Sequence, residues 1–212
     1  MSLLQILIQI TVLLFAVIVH EVAHGYVAFR LGDPTAKNSG RLTLNPLPHI
    51  DPFMSVLLPA FLIFSGAPCI IGGAKPVPVN PSYFNDHKRD VMLVSFAGPA
   101  SNILLAVLSI LIYAIAVRVP VIMKFGGSGL FLLLQYSILI NVVLAVFNLI
   151  PIPPLDGSKI LMGLMPDEIA YKYASIGPYG IFIIIILLML GVLQMILMPV
   201  FIILQKLIHL IT

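Results

Sequence analysis

The chain has 212 residues, 60% of them hydrophobic and 9% charged, with a formal net charge of +3. Soluble domains carry about 25% charged residues, so there is too little polar surface here to coat a water-soluble globule, and an integral membrane protein is expected. The 11 Lys and Arg are scattered singly, which argues against a nucleic-acid surface, and lone Cys69 excludes an intramolecular disulfide or a Cys-rich metal site. Little chain remains beside the membrane segments for a soluble domain of ordinary size. Residues 1–212 are therefore read as a single membrane-embedded domain.

In chain order, the first apolar run extends over 3–29 and stops at Arg30-Leu31-Gly32-Asp33-Pro34. At about 1.5 Å per residue it is long enough to span a hydrocarbon core of about 30 Å. Met1-Ser2 offers no basic region of a signal peptide, so this run is read as a retained helix. Leu42-Thr43-Leu44-Asn45-Pro46 alternates like a short strand. A second apolar run, 53–71, is broken by Pro59, Gly66 and Pro68. Lys75-Pro76-Val77-Pro78-Val79-Asn80 carries prolines at alternate positions, which excludes a helix and leaves an extended or edge-strand segment. Further spans are expected over 91–117, 130–150 and 178–203, the last interrupted by Gly191 and Pro199. Gly126 to Gly129 reads as a flexible turn between spans.

His20-Glu21-Val22-Ala23-His24 lies inside the first span. On a helix the two imidazoles project about 40° apart, so they can share one zinc ion, with Glu21 as general base on a bound water. Three costly polar side chains on one apolar helix are a functional signal. Two histidines need a third protein ligand. Asp156 follows directly on the 130–150 span in a proline-fixed turn, and is assigned on that position. His49, His87 and His209 stay open but lie in polar connections or the tail. Asp90 reads as a helix N-terminal residue.

A site shared by His20, His24 and Asp156 constrains the topology. The 130–150 span must end on the Arg30 side, its predecessor must start there, and 53–71 must then enter and leave on one side as a re-entrant or shallow element. This places Arg30, Lys37, Arg41, Lys75, Lys88, Arg89, Lys159 and Lys172 on that side, against Arg118 and Lys124 on the other, with Lys206 unassigned. The bias makes the Arg30 side cytoplasmic. The expected fold is an all-α polytopic membrane protein with four full transmembrane helices, a re-entrant helical segment and a small membrane-embedded β element.

His20-Glu21-Val22-Ala23-His24 followed by Asn148-Leu149-Ile150-Pro151-Ile152-Pro153-Pro154-Leu155-Asp156-Gly157 resembles the paired signature of the site-2 protease family of intramembrane zinc metalloproteases, H-E-x-x-H with N-x-x-P-x-P-x-x-D-G. Gly98-Pro99-Ala100-Ser101-Asn102 resembles the family's G-P-x-x-N element, and Gly72-Gly73-Ala74 with its proline-rich extension resembles its membrane-embedded hairpin. The resemblance runs over roughly residues 10–165. It is to the compact subgroup that lacks a PDZ domain.

The resemblance implies one zinc ion per chain on His20, His24 and Asp156, with Glu21 as base. It also implies transmembrane protein substrates cut within the bilayer, in a prokaryotic cell membrane, with the site in the cytoplasmic half. An edge strand could capture an unwound substrate by strand addition. Leu42, Thr43, Leu44 and Asn45 are candidates for that role, as are Lys75, Val77, Val79 and Asn80. Asn102 is a candidate oxyanion donor or an interhelical hydrogen-bonding group. Asn148 is assigned a supporting role behind the ligands, and Asn141 a structural one. Two other classes use the same buried polar groups: an ion or metal transporter, and a catalytically silent membrane scaffold. The motif order and the lack of repeat symmetry argue against the transporter. Oligomeric state and substrate identity are not legible.

Overall fold

A lipid environment leaves backbone N–H and C=O groups no outside partner, so spanning segments close their hydrogen bonds internally as helices. The computed structural model describes residues 2–52, 57, 61 and 74–211. Its long helices are α1 (Leu3–Arg30), α3 (His87–Arg118), α4 (Pro120–Leu149) and α8 (Val192–Ile211). Shorter ones are α2 (Thr35–Asn38), α5 (Asp156–Leu164), α6 (Asp167–Ala174) and α7 (Gly180–Met189).

The termini of the long helices are locally encoded. Ser2 Oγ accepts the Gln5 N–H at 3.3 Å and Gln5 Oε1 accepts the Ser2 N–H at 2.8 Å, a capping box that starts α1. Asp86 accepts the Arg89 N–H and Asp90 accepts the Asp86 N–H, which starts α3 and agrees with the helix-terminal reading of Asp90. Gly127 sits at φ +58, a region that favours glycine, and breaks α4 so that its spanning part begins there.

α1, α3 and α4 pack together around small buried residues, among them Ala16, Ala106 and Ala145. Small side chains let helix backbones approach closely where lipid supplies no hydrophobic drive. Leu3, Leu7, Ile10 and Leu14 on α1, and Leu104, Leu108, Leu111 and Ile115 on α3, are exposed. Each set is spaced three and four apart, so each helix turns one apolar stripe outward. α8 packs across this frame, with Leu204 against Tyr113, Leu134 and Ile138.

Among the described residues, 5 stretches are long and apolar enough to cross a membrane: Leu3–Arg30, His87–Arg118, Gly127–Leu149, Asp167–Met189 and Val192–Leu210. This is a multi-pass integral membrane protein. The count exceeds the expected four because the 178–203 run is divided: Gly191 adopts φ +75 and ends α7, whereas Pro199 stays within α8. The expected re-entrant segment, 53–71, lies outside the described residues apart from two isolated positions.

The expected β element is corrected. No strand forms among the described residues, at 42–45 or at 75–80. The physical reason is that the N–H groups find other acceptors. The Asn45 N–H goes to Thr43 Oγ1, and the Leu47 N–H to Asn45 Oδ1. In the proline-rich segment, Pro76 and Pro78 have no donor. The Lys75 N–H goes to the His49 carbonyl at 2.8 Å, the Val77 N–H to Glu21 Oε2 at 2.8 Å, and the Asn80 N–H to Asp33 Oδ2 at 2.7 Å. From the other side, Arg41 donates to the Lys75 carbonyl at 2.6 Å. Side chains of the first 50 residues thus hold this segment where a partner strand was expected.

Candidate metal centre

His20 and His24 occupy one face of α1, with ring centroids 4.6 Å apart. Asp156 opens α5, and its Oδ2 lies 3.1 Å from Nε2 of each histidine. A carboxylate in the first turn of a helix also meets the positive end of the helix dipole. Gly157 permits the approach, because a Cβ there would lie 2.2 Å from the Leu149 carbonyl oxygen. Burial opposes ionisation of Asp156, and the Lys159 charge beside it favours the carboxylate.

The residues fit a zinc ion. Their ligand atoms lie within 4.8 Å of one another, and no other such group occurs among the described residues. Two imidazoles and a carboxylate are a zinc donor set that leaves a fourth position open. Each histidine is held through its other nitrogen. His24 Nδ1 lies 2.7 Å from the Val94 carbonyl, which can only accept, so Nδ1 carries the proton and Nε2 presents a lone pair. His20 Nδ1 lies 2.6 Å from Asn102 Oδ1. Residue 98 leaves the space: a Cβ on Gly98 would sit 2.4 Å from His24 Nε2 and 2.5 Å from His20 Nε2.

A cavity of about 460 Å³ opens over these atoms, lined also by Glu21, Val77, Val79, Asn148 and Lys159. Asn102 is fully buried and lies behind His20 instead of in the cavity; its amide donates to the Ala16 carbonyl and to Asn141 Oδ1. Asn148 donates to the Leu144 carbonyl of its own helix. Val77 and Val79 line the cavity; Leu42, Thr43, Leu44, Asn45, Lys75 and Asn80 are not among its lining residues. His49 and His87 face the Thr43 and Pro81 carbonyls, respectively.

Several contacts were not foreseen from sequence. Lys159 Nζ stands 3.6 Å from Asp156 Oδ1; its i+3 position on a helix was an available signal. The Val94 carbonyl and the Val77 N–H are backbone groups, which no residue pattern marks. Asn141 was read only as structural.

The profile of peptidase family M50 matches residues 121–191. The chain is 39% identical over 170 residues to YwhC of Bacillus subtilis, covering 79% of this chain and 74% of that protein. It is 35% identical over 179 residues to Rip2 of Mycolicibacterium smegmatis, covering 82% of this chain and 64% of the relative. It is 32% identical over 148 residues to Rip2 of Mycobacterium tuberculosis, covering 70% of this chain and 53% of the relative. Each of the three is named a zinc metalloprotease. The chain thus spans less than two thirds of the mycobacterial relatives. No solved structure matches the chain.

Proposed function

The chain belongs to peptidase family M50, the site-2 protease family, and is a zinc metalloprotease; on that premise we propose that it hydrolyses peptide bonds within transmembrane segments of membrane-protein substrates. One observation carries this reading. Asp156 lies 3.1 Å from both His20 and His24, which flank Glu21 on a helix apolar and long enough to cross a bilayer.

His20, His24 and Asp156 would hold the ion, which when bound supplies a Lewis acid able to bring the pKa of water toward about 7. Glu21 takes the proton of the attacking water and returns it to the leaving amine. The Val77 N–H, 2.8 Å from Glu21 Oε2, aims that carboxylate into the cavity. Val77 and Val79 give the substrate an apolar wall. The Val77 donor that a substrate backbone could use is already on Glu21, which favours side-chain contact at these positions over strand addition. Asn102 acts through His20, because its amide hydrogens are committed elsewhere. Asn148 borders the cavity. The Lys and Arg bias toward the Arg30 side supports a site in the cytoplasmic half.

The test is cleavage of a transmembrane peptide by the purified protein in detergent or vesicles, compared with Glu21→Gln. Cleavage by the parent and none by the variant is expected. Equal cleavage by both, or no cleavage of several such helices by a zinc-loaded parent, overturns the proposal.

A further inference from the structure

The side chain behind His20 does not stand alone. His20 Nδ1 meets Asn102 Oδ1 at 2.6 Å, Asn102 Nδ2 meets Asn141 Oδ1 at 2.9 Å, and Asn141 Nδ2 meets the Ser137 carbonyl at 2.9 Å. Asn102 and Asn141 are 0% and 1% exposed, so water offers them no alternative partner. The file joins α1, α3 and α4.

Its direction follows from the one group that cannot reverse. A backbone carbonyl only accepts. The Asn141 end facing Ser137 is therefore the NH2, and its Oδ1 faces Asn102. That oxygen in turn requires the Asn102 NH2, which the Ala16 carbonyl at 3.3 Å also requires. Asn102 must then show its oxygen to His20, and His20 Nδ1 must carry the proton. Only in that tautomer does Nε2 have a lone pair for a metal.

We infer that Asn141 is a positioning residue for the metal centre: through Asn102 it fixes the Nδ1–H tautomer of His20 and so readies Nε2 as a ligand. Without Asn141 the Asn102 NH2 keeps only the longer Ala16 contact. It can then turn its NH2 toward Nδ1, which moves the proton to Nε2 and removes the lone pair. The inference rests on the reading of His20 as a zinc ligand. It is distinct from a role as interhelical adhesive, which would affect stability alone.

The experiment is zinc affinity by chelator competition, with thermal stability of the metal-free protein measured beside it. The set is the parent, Asn141→Leu, Asn141→Ala, Asn102→Leu and the Asn102→Leu/Asn141→Leu pair. Ser109→Ala is the control; it breaks the 2.8 Å contact to Ser137 Oγ on the same helix pair and keeps every group of the file, from His20 to the Ser137 carbonyl. Loss of a group that orients a metal-bound histidine typically weakens binding about 10- to 100-fold. That loss is expected for Asn141→Leu and Asn141→Ala, and for Asn102→Leu, with the pair no weaker than Asn102→Leu alone. Ser109→Ala should keep parental affinity whatever its stability. Parental affinity in both Asn141 variants, or losses that multiply in the pair, overturns the inference. A parent that binds zinc but cuts no transmembrane peptide overturns the proposed function and leaves the relay standing.

Discussion

The Glu21 carboxylate accepts a hydrogen bond from the Val77 backbone N–H at 2.8 Å, across 56 positions of sequence. The general base of α1 and the proline-rich segment are thereby tied together at the mouth of the metal centre. Pro76 and Pro78 on either side of Val77 have no N–H, so Val77 is the donor that this part of the segment can offer.

Val77→Pro removes that donor while keeping an extended backbone. A hydrogen bond to a charged group contributes about 1.5–3 kcal/mol. Peptide cleavage is expected to fall at least about tenfold in kcat, with zinc content unchanged. A kcat equal to the parent's in a steady-state assay counts against the tether.

Glu21→Gln retains an oxygen that can accept from Val77 but cannot take a proton. General-base catalysis contributes about 10²–10⁴-fold, and a loss of that order is expected. Zinc per chain, measured by atomic absorption, should stay at the parent's value, because Glu21 is not one of the three converging ligands.

Asp156→Ala removes the only carboxylate in the converging group. Zinc affinity should drop by more than the approximately 10- to 100-fold typical of residues behind the ligands. Unchanged zinc stoichiometry in the purified variant would take Asp156 out of the site.

Gly98→Ala tests the packing of the centre. The added Cβ would lie 2.4–2.5 Å from both Nε2 atoms, inside contact distance, so the imidazoles must move. Zinc content is expected to fall strongly while helical circular dichroism keeps its parental amplitude. A fully zinc-loaded variant would show that the ring positions can adjust.

The spans were legible wherever the sequence had a punctuation mark that the structure also uses. Arg30 ends α1, Asp90 lies in the first turn of α3, and Pro151 follows the end of α4. The three residues that the structure brings together, His20, His24 and Asp156, were legible, because a carboxylate after a span and two histidines within one are costly unless used. Two elements were misjudged for identifiable reasons. Gly191 was legible as an interruption of the final run but not as the boundary between two spans, because periodicity does not report its φ of +75. The alternating segments look like strands, but Asp33, Glu21 and Thr43 take the N–H groups that a ladder would need.

By itself the sequence determined that the chain lives in a membrane, and it named the residues that could hold a metal and the carboxylate proposed as base. Apolar run length and the rarity of ionisable groups within those runs suffice for that. Only the tertiary structure decided what stands behind and above the ligands. The Val94 carbonyl, the Val77 N–H and the Asn141–Asn102–His20 file are backbone groups or neutral amides brought together over 39 to 82 positions. Their meaning lies in the direction of each hydrogen bond, which depends on what faces them and not on which residue they are.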